Sequence, residues 1–333
     1  MNVHMITDRF SMGGGLEHIF QVVKGIREID FRIFAYPASS THPAESERVM
    51  SKFKALNNVV LDDGGYVPGS VLQNKPDLIH FHHLLPLFHF YKNPFRQHKV
   101  PVIFTAHGLH IHKYEFSNQQ WFQKASSRIK YFLRFKLEKY LLNQVDRIIA
   151  VSREDELFMQ LEYQLNNVTY LTNGIAIDGL GISDSVSRTE LRKSLNLPVD
   201  CFLFMTVARF NFQKAYDFLI NTLGPIGEFL KENKVRFILV GGGAEFDRIQ
   251  KMVVDLELSS FVSFLGERTD SLKLIKAGDV FLLPSRWEGL PIVLLECGSL
   301  QVPVIASDTY GNREIIRQDN GILFKNLDGP ELI

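Results

Sequence analysis

Cysteine is scarce. The 333 residues hold two, Cys201 and Cys297, which build no disulfide framework and lack metal-ligand spacing. That usage points to a reducing compartment. Long apolar runs are missing as well: none reaches the roughly 18 residues of a membrane span. Asp8, Arg9 and the glycines at 13–15 break up the amino-terminal region, which does not read as a signal peptide. There is no internal repeat, no low-complexity segment and no Asp-x-Asp pair to clamp a metal on a diphosphate. The Gly-x-Gly-x-x-Gly spacing of a dinucleotide fold fails because His18 occupies the third glycine position, and the run at 31–36 lacks an acidic end to hold a ribose. A dinucleotide-dependent oxidoreductase is therefore disfavoured.

Net charge is also absent, with 37 basic and 37 acidic residues, but the balance is uneven. Residues 1–150 carry 19 Lys and Arg against 12 Asp and Glu, whereas the rest carries 18 against 25. The basic half is a candidate surface for an anionic partner. Hydrophobic residues make up 45%, enough for a core in each of two ordinary domains. Short apolar runs fall at 3–7, 31–36, 78–81, 102–106, 147–152 and 169–171. A second series falls at 202–207, 236–240, 262–265, 280–283 and 302–306. Separated by helical patterns, they read as βαβ units with buried parallel strands. The polar break at 178–200 divides them into two doubly wound α/β domains, 1–180 and 181–333, with 183–191 as the linker into the second.

Parallel α/β sheets bind ligands outside the carboxyl ends of their strands. Three glycines, Gly13, Gly14 and Gly15, follow the first run, and His107 and Gly108 follow the fourth. In the second series the ends lead to Arg209 and Lys214, to the glycines at 241–243, and to 284–289, Pro-Ser-Arg-Trp-Glu-Gly. Two domains facing across a cleft would gather this chemistry into one crevice. Gly242 and its neighbours allow either a close approach to a base or ribose or a plain left-handed turn.

The segment 288–296 is the most informative. Gly289 allows a tight turn, Leu290 follows, and Pro291 fits the first position of a helix. Free N–H groups at that helix start suit a diphosphate. Glu296 lies roughly 7–8 Å farther along the axis at about 1.5 Å per residue, a reach from diphosphate to ribose. It follows the apolar run 292–295, so it is not simply solvated. Glu288 stays on the loop, where a sugar would sit.

Pro284 and Ser285, then Glu288, then Glu296 after seven residues, then Pro303-Val304-Ile305-Ala306, resemble the Glu-x7-Glu signature of retaining glycosyltransferases of family four. The resemblance covers nearly all the chain. It includes Gly14-Gly15-Leu16-Glu17, the strand ending His80-x-His82, Thr105-Ala106-His107, Val151-Ser152, Asn173-Gly174, the pair Arg209 and Lys214, and Gly311 with Glu314. The departures are Ala215 and Gln301 where glycine is usual and Cys297 where alanine is usual. The chain also stops at Ile333, about where the family's last helices begin, so the expected fold is GT-B without its closing helices.

The resemblance implies a retaining, metal-independent hexosyl-type transferase whose nucleotide sugar is a co-substrate, with no cofactor. Arg209 and Lys214 would neutralise the diphosphate and stabilise the leaving group. Glu288, Gly289, Leu290 and Glu296 would hold the donor, with Gly14 and Gly15 supplying a helix start from the other domain. His107 would lie beside the reacting sugar, and His80 and His82, on one face of a strand, would line the acceptor side or pack. His80, His82 and His83 have no accompanying carboxylate or cysteine cluster, so no metal is assigned to them. Uridine diphosphate sugars are the expected donors and a saccharide or lipid-linked molecule the acceptor, in cell-surface polysaccharide or glycolipid synthesis.

Residues 113–139 interleave Lys113, Lys124, Arg128, Lys130, Arg134, Lys136 and Lys139 with aromatic and aliphatic side chains. Such a segment suits an anionic membrane surface or a packed helix with a basic face; no nucleic-acid recognition motif accompanies it. The expected location is the cytoplasm, at the inner face of the cytoplasmic membrane. The alternatives are a nucleotide-sugar epimerase of the same fold and a non-catalytic sugar-nucleotide-binding subunit.

Overall fold

The computed structural model describes residues 1–10, 13–36, 43–62, 65–92, 99–109, 125–176 and 186–333. It divides into two compact units, Met1–Gly174 and Ile175–Ile333. The boundary read from the sequence, 180/181, lies outside the described residues. Part of the expected linker is not a linker: Arg188–Ser194 is a helix started by a capping box between Ser187 and Glu190. Arg192 on that helix is buried and donates to Asp279 at 2.6 Å and to the Ala277 carbonyl at 2.9 Å, which anchors it to the second unit.

The first unit carries seven strands: β1 (Asn2–Ile6), β2 (Asp30–Phe34), β3 (Val59–Leu61), β4 (Leu78–Phe81), β5 (Val102–Ala106), β6 (Arg147–Ala150) and β7 (Val168–Tyr170). Every pairing is parallel, in the order β3-β2-β1-β4-β5-β6-β7. The second unit has β8 (Phe202–Val207), β9 (Val235–Val240), β10 (Val262–Gly266), β11 (Val280–Leu283), β12 (Val304–Ser307) and β13 (Gly321–Phe324), again all parallel, in the order β10-β9-β8-β11-β12-β13.

Helices cover both faces, so the central strands are apolar on both sides. Along β9, Ile238 and Val240 join one core with Met205, Phe281 and Leu294, while Phe237 and Leu239 join the other with Tyr216, Leu219 and Ile249. The period of two sends alternate residues to opposite layers. β12 starts two residues later than the apolar run at 302–306. Val302 N–H closes the preceding helix on the Cys297 carbonyl at 3.0 Å, and Pro303 has no N–H to offer.

Each sheet has one place where the strand order reverses. In the first unit β1 and β4 are neighbours with their crossovers running in opposite directions, and in the second β8 and β11 are. Loops leaving such a pair part from one another and open a crevice, which makes it the ligand position of doubly wound sheets.

Candidate active site

In the second unit the reversal puts the loop after β8 against the loop after β11. The first carries Arg209 and a 3-10 turn at Phe212–Lys214, capped by Asn211, whose side-chain oxygen accepts the Lys214 N–H at 3.2 Å. The second carries 284–291. The two meet at an ion pair: Lys214 Nζ lies 2.5 Å from Glu288 Oε1. Glu288 is buried and also accepts from Ser285 Oγ at 2.6 Å and from the Gln213 amide at 3.3 Å. A carboxylate with three donors is satisfied away from water. The sequence puts Glu288 at the sugar; the structure adds that it holds Lys214.

The supporting residues received no role from the sequence. Arg286 donates to both Asp217 oxygens at 3.0 and 2.9 Å and to the Phe212 carbonyl at 2.6 Å, and its guanidinium carbon lies 4.0 Å from the Phe212 ring centre. Its own N–H reaches the Gln213 carbonyl at 2.7 Å. Burial opposes the Asp217 charge, but the bonds and charge of Arg286, with the Phe218 N–H and Arg248, together hold its pKa below the ordinary value. Gln213 Nε2 donates to the Trp287 carbonyl at 2.9 Å, and Asn326 to that of Arg286 at 2.8 Å. This is a bidentate clamp between the two loops, and the Lys214 turn cannot shift without breaking it. An arginine beside Pro284 and Ser285 is visible in the sequence, but its partner Asp217 lies 69 residues away.

Gly289 and Leu290 are buried. A Cβ on Gly311 would sit 1.6 Å from the Gly289 carbonyl oxygen, so the helix Tyr310–Ile315 lies directly on that peptide. The next helix begins one residue later than expected: Pro291 is its extended N-cap and Ile292–Ser299 the helix. No side chain caps it and its first turn holds no acidic residue, the arrangement in which leading N–H groups and the positive end of the helix dipole favour an anion. Glu296 is half-buried on its fifth residue, and Arg209 is exposed beside Phe210.

Glycines 241–243 have a packing reason. Gly241 and Gly243 adopt φ values of +137° and +144°, and a Cβ there would meet the carbonyls of Ala208 at 2.1 Å and Phe210 at 2.4 Å. A Cβ on Gly242 would meet Glu267 Oε1 at 2.5 Å. The loop after β9 thus supports the Arg209 loop by backbone contact. At the two departures from glycine, Ala215 (φ 53°) and Gln301 (φ 56°), the backbone is in the left-handed region, where glycine is the low-cost residue.

In the first unit the reversal between β1 and β4 gathers histidines. Gly14 starts the helix Gly14–Gly25 with open space around it. Gly15 packs on the rings of His107 and His83, 3.6–3.8 Å from where its Cβ would be. His82 Nδ1 and His107 Nε2 share a hydrogen bond of 3.0 Å. His18 lies edge-on to His107 with ring centres 4.8 Å apart, and its Nδ1 bonds Asn173 Oδ1 at 2.9 Å. His80 and His82 share a face, as the strand spacing predicts, with ring centres 4.1 Å apart, and His80 bonds Thr105 Oγ1 at 2.7 Å. Burial lowers the pKa of each: His80 to about 3, His82 and His107 well below the ordinary value, and His18 less far, opposed by its bond to Asn173. All four imidazoles are neutral at neutral pH. Among the described residues, His18, His82 and His107 present nitrogens within 4.8 Å of one another, so there it is these three, not the trio 80, 82 and 83, that could approach a metal. That spread exceeds the roughly 3.3 Å between nitrogens implied by tetrahedral Zn–N bonds of about 2.0 Å.

Known proteins share this architecture. Residues 12–178 match the family model Glycosyltransferase Family 4, and residues 187–331 that of Glycosyl transferases group 1. Putative glycosyltransferase EpsD of Bacillus subtilis is 29% identical over 233 residues, covering 69% of this chain and 58% of that protein. The UDP-Gal:alpha-D-GlcNAc-diphosphoundecaprenol alpha-1,3-galactosyltransferase of Escherichia coli is 28% identical over 203 residues, 58% of this chain and 50% of that one. The chain thus spans about half the length of these curated relatives. Anabaena Alr3699/HepE, solved in complex with UDP and glucose, superimposes with a TM-score of 0.78 at 20% identity, over 100% of this chain and 88% of that one. At that identity the likeness speaks to fold, and it agrees with the two parallel sheets and their order. The chain belongs to the family-four, group 1 glycosyltransferases, with two α/β domains of the GT-B class.

Proposed function

We propose that this protein transfers a hexose-type sugar from a nucleotide diphosphate donor, a uridine diphosphate sugar, to a saccharide or lipid-linked acceptor in cell-surface polysaccharide or glycolipid synthesis. The observation that carries the reading is the Lys214–Glu288 pair at the strand-order reversal, beside an uncapped helix start. In this reading the donor diphosphate lies at the N–H groups opening Ile292–Ser299, with Lys214 and Arg209 as its cations. Glu296 accepts from ribose hydroxyls, and Glu288 fixes Lys214 and faces the sugar. Two similar proteins, one a UDP-Gal-dependent galactosyltransferase and one solved with UDP and glucose, favour uridine.

The proposed chemistry is front-face displacement. The bond from the anomeric carbon to the diphosphate oxygen breaks, and Lys214 and Arg209 stabilise the charge left on that oxygen. The acceptor hydroxyl oxygen forms the new bond on the same face, and its proton passes to the departing oxygen. Configuration is retained. His107, neutral through burial, offers a hydrogen bond to a sugar hydroxyl rather than a charge. Two cations and a helix start already supply positive potential, so the donor needs no divalent metal. The chain acts at the inner face of the cytoplasmic membrane, against which Ile129, Phe132 and Leu133, each more than half exposed, and Lys130 and Lys136 would rest. The part of the basic segment at 113–124 is outside the described residues. Among the described residues no helix is long and apolar enough to cross a membrane. Proton NMR of the product at its new anomeric centre tests the reading: a retained linkage made in the presence of chelator supports it, and an inverted linkage or a chelator-abolished reaction contradicts it.

A further inference from the structure

We propose that His82 is a positioning residue for His107, holding it in the tautomer that carries its proton on Nδ1. The inference rests on the reading of His107 as the histidine that meets the transferred sugar.

The two rings stand at the carboxyl ends of neighbouring strands, β4 and β5. Their planes lie within 18° of each other, and Nδ1 of His82 is 3.0 Å from Nε2 of His107. The ring centres are 5.3 Å apart, the bond length plus one ring radius at each end, so the shared proton lies close to both ring planes and in line with the accepting lone pair. Both imidazoles are neutral, so each ring owns one proton and the bond has two possible directions. In one, His107 donates from Nε2, and the His82 proton must then sit on its own Nε2. That atom is buried and reaches no hydrogen-bond partner among the described residues. In the other, His82 donates from Nδ1, and the atom left over is a bare lone pair. Unanswered buried N–H groups are the rarer of the two faults in folded proteins, so the second direction is favoured.

His82 cannot readily turn to exchange its nitrogens. It is 2% exposed, His80 lies 4.1 Å away from it centre to centre, and the His18 ring is 5.7 Å away. His107 is thus left with Nδ1–H as its second polar atom. A donor there meets a sugar hydroxyl oxygen; the opposite tautomer would present a lone pair and require the sugar to donate. The specificity of the site for a hydroxyl acting as acceptor is set one residue behind the residue that touches it.

Ring-nitrogen NMR of histidine-labelled protein needs no substrate and reads the tautomer directly. The wild type is expected to show His107 protonated on Nδ1. His82→Asn, whose amide N–H replaces the lost donor, should preserve that state, and His82→Phe should abolish it. With UDP-glucose or UDP-galactose as donor, whichever turns over, His82→Phe should lower kcat about tenfold, the effect of one lost hydrogen bond, with KM for the donor within about twofold. His82→Asn should recover most of the loss. A wild-type His107 protonated on Nε2 overturns the proposal even where His82→Phe does not fold. So does His82→Phe with wild-type kcat when His107→Ala is inactive. If His107→Ala itself keeps wild-type kcat, the reading of His107 fails instead.

Discussion

Lys214 and Glu288 come from loops 74 residues apart and meet at 2.5 Å, with 17% and 6% of their side chains exposed. The lysine that would bind a diphosphate already has an anion. Ser285 and Gln213 would still satisfy Glu288 if Lys214 turned to another oxygen. The pair works as a holder: it keeps a cation in place between the two loops, at the cost of competing with a phosphate for it.

Glu288→Gln follows from this competition. It removes the competing charge while keeping the shape of the side chain. UDP affinity should be unchanged or rise several-fold, and turnover should fall at least about tenfold through loss of order at the sugar. Glu296→Ala should do the reverse, weakening UDP about tenfold for a lost charge-assisted bond to ribose. Calorimetry with UDP separates the two. Weaker UDP binding in Glu288→Gln, or unchanged affinity in Glu296→Ala, contradicts the assignment.

Much of this arrangement was legible in the sequence because parallel strands buried on both faces leave continuous apolar runs. Eleven such runs correspond to strands, within two residues at either end. The two missed strands are edges. β3 has three residues with Val60 half exposed, and β13 begins on Gly321 and carries Ile322 at 64% exposure, so neither needs an apolar run. The Lys214 and Glu288 loops were legible from chemistry at strand ends. Their contact was not, nor was the Arg286–Asp217 clamp, since spacing in sequence carries no information about partners 69 to 74 residues away. His82 read as lining or packing because its hydrogen bond depends on the register of β4 against β5.

Gln301 provides a test of backbone strain. It follows the helix Ile292–Ser299 at φ 56° and is exposed, with the Val302 N–H bonded back to Cys297. This is the position where helices favour glycine. Gln301→Gly should stabilise the chain by about 1 kcal/mol, the left-handed penalty less the added freedom of glycine when unfolded. Denaturant unfolding measures it; a destabilised variant would mean the side chain contributes more than the strain costs.

The histidine cluster predicts acid sensitivity. In the unfolded chain each ring titrates near pH 6.5. In the folded chain burial holds His82 and His107 well below that and His80 at about 3. Below about pH 6.5 the unfolded state binds more protons, so stability is present above that pH and lost as pH falls. The slope approaches about 1.4 kcal/mol per pH unit for each ring. Unfolding midpoints at pH 7.5 and 5.0 should differ markedly, and less so in His82→Phe. A pH-independent midpoint would show that the rings titrate normally.

Membrane association should be electrostatic. Lys130 and Lys136 flank the exposed Phe132, and Lys136 Nζ lies 5.3 Å from that ring's centre. Each such lysine contributes about 1 kcal/mol near an anionic surface, screened by salt. Sedimentation with anionic vesicles at low salt should exceed that with neutral ones and drop in a Lys130→Glu/Lys136→Glu variant. Equal sedimentation with both vesicle types contradicts the proposal.

In the proposed function the β8 and β11 loops bind a nucleoside diphosphate through Lys214 and Arg209. Titration calorimetry of UDP in the presence of chelator measures this directly. The wild type should show one site. Arg209→Ala, an exposed position whose loss should leave the fold intact, and Lys214→Ala should each weaken it at least about tenfold, the effect of one charge-assisted bond to phosphate. No binding without added metal, or wild-type affinity in both variants, would contradict it.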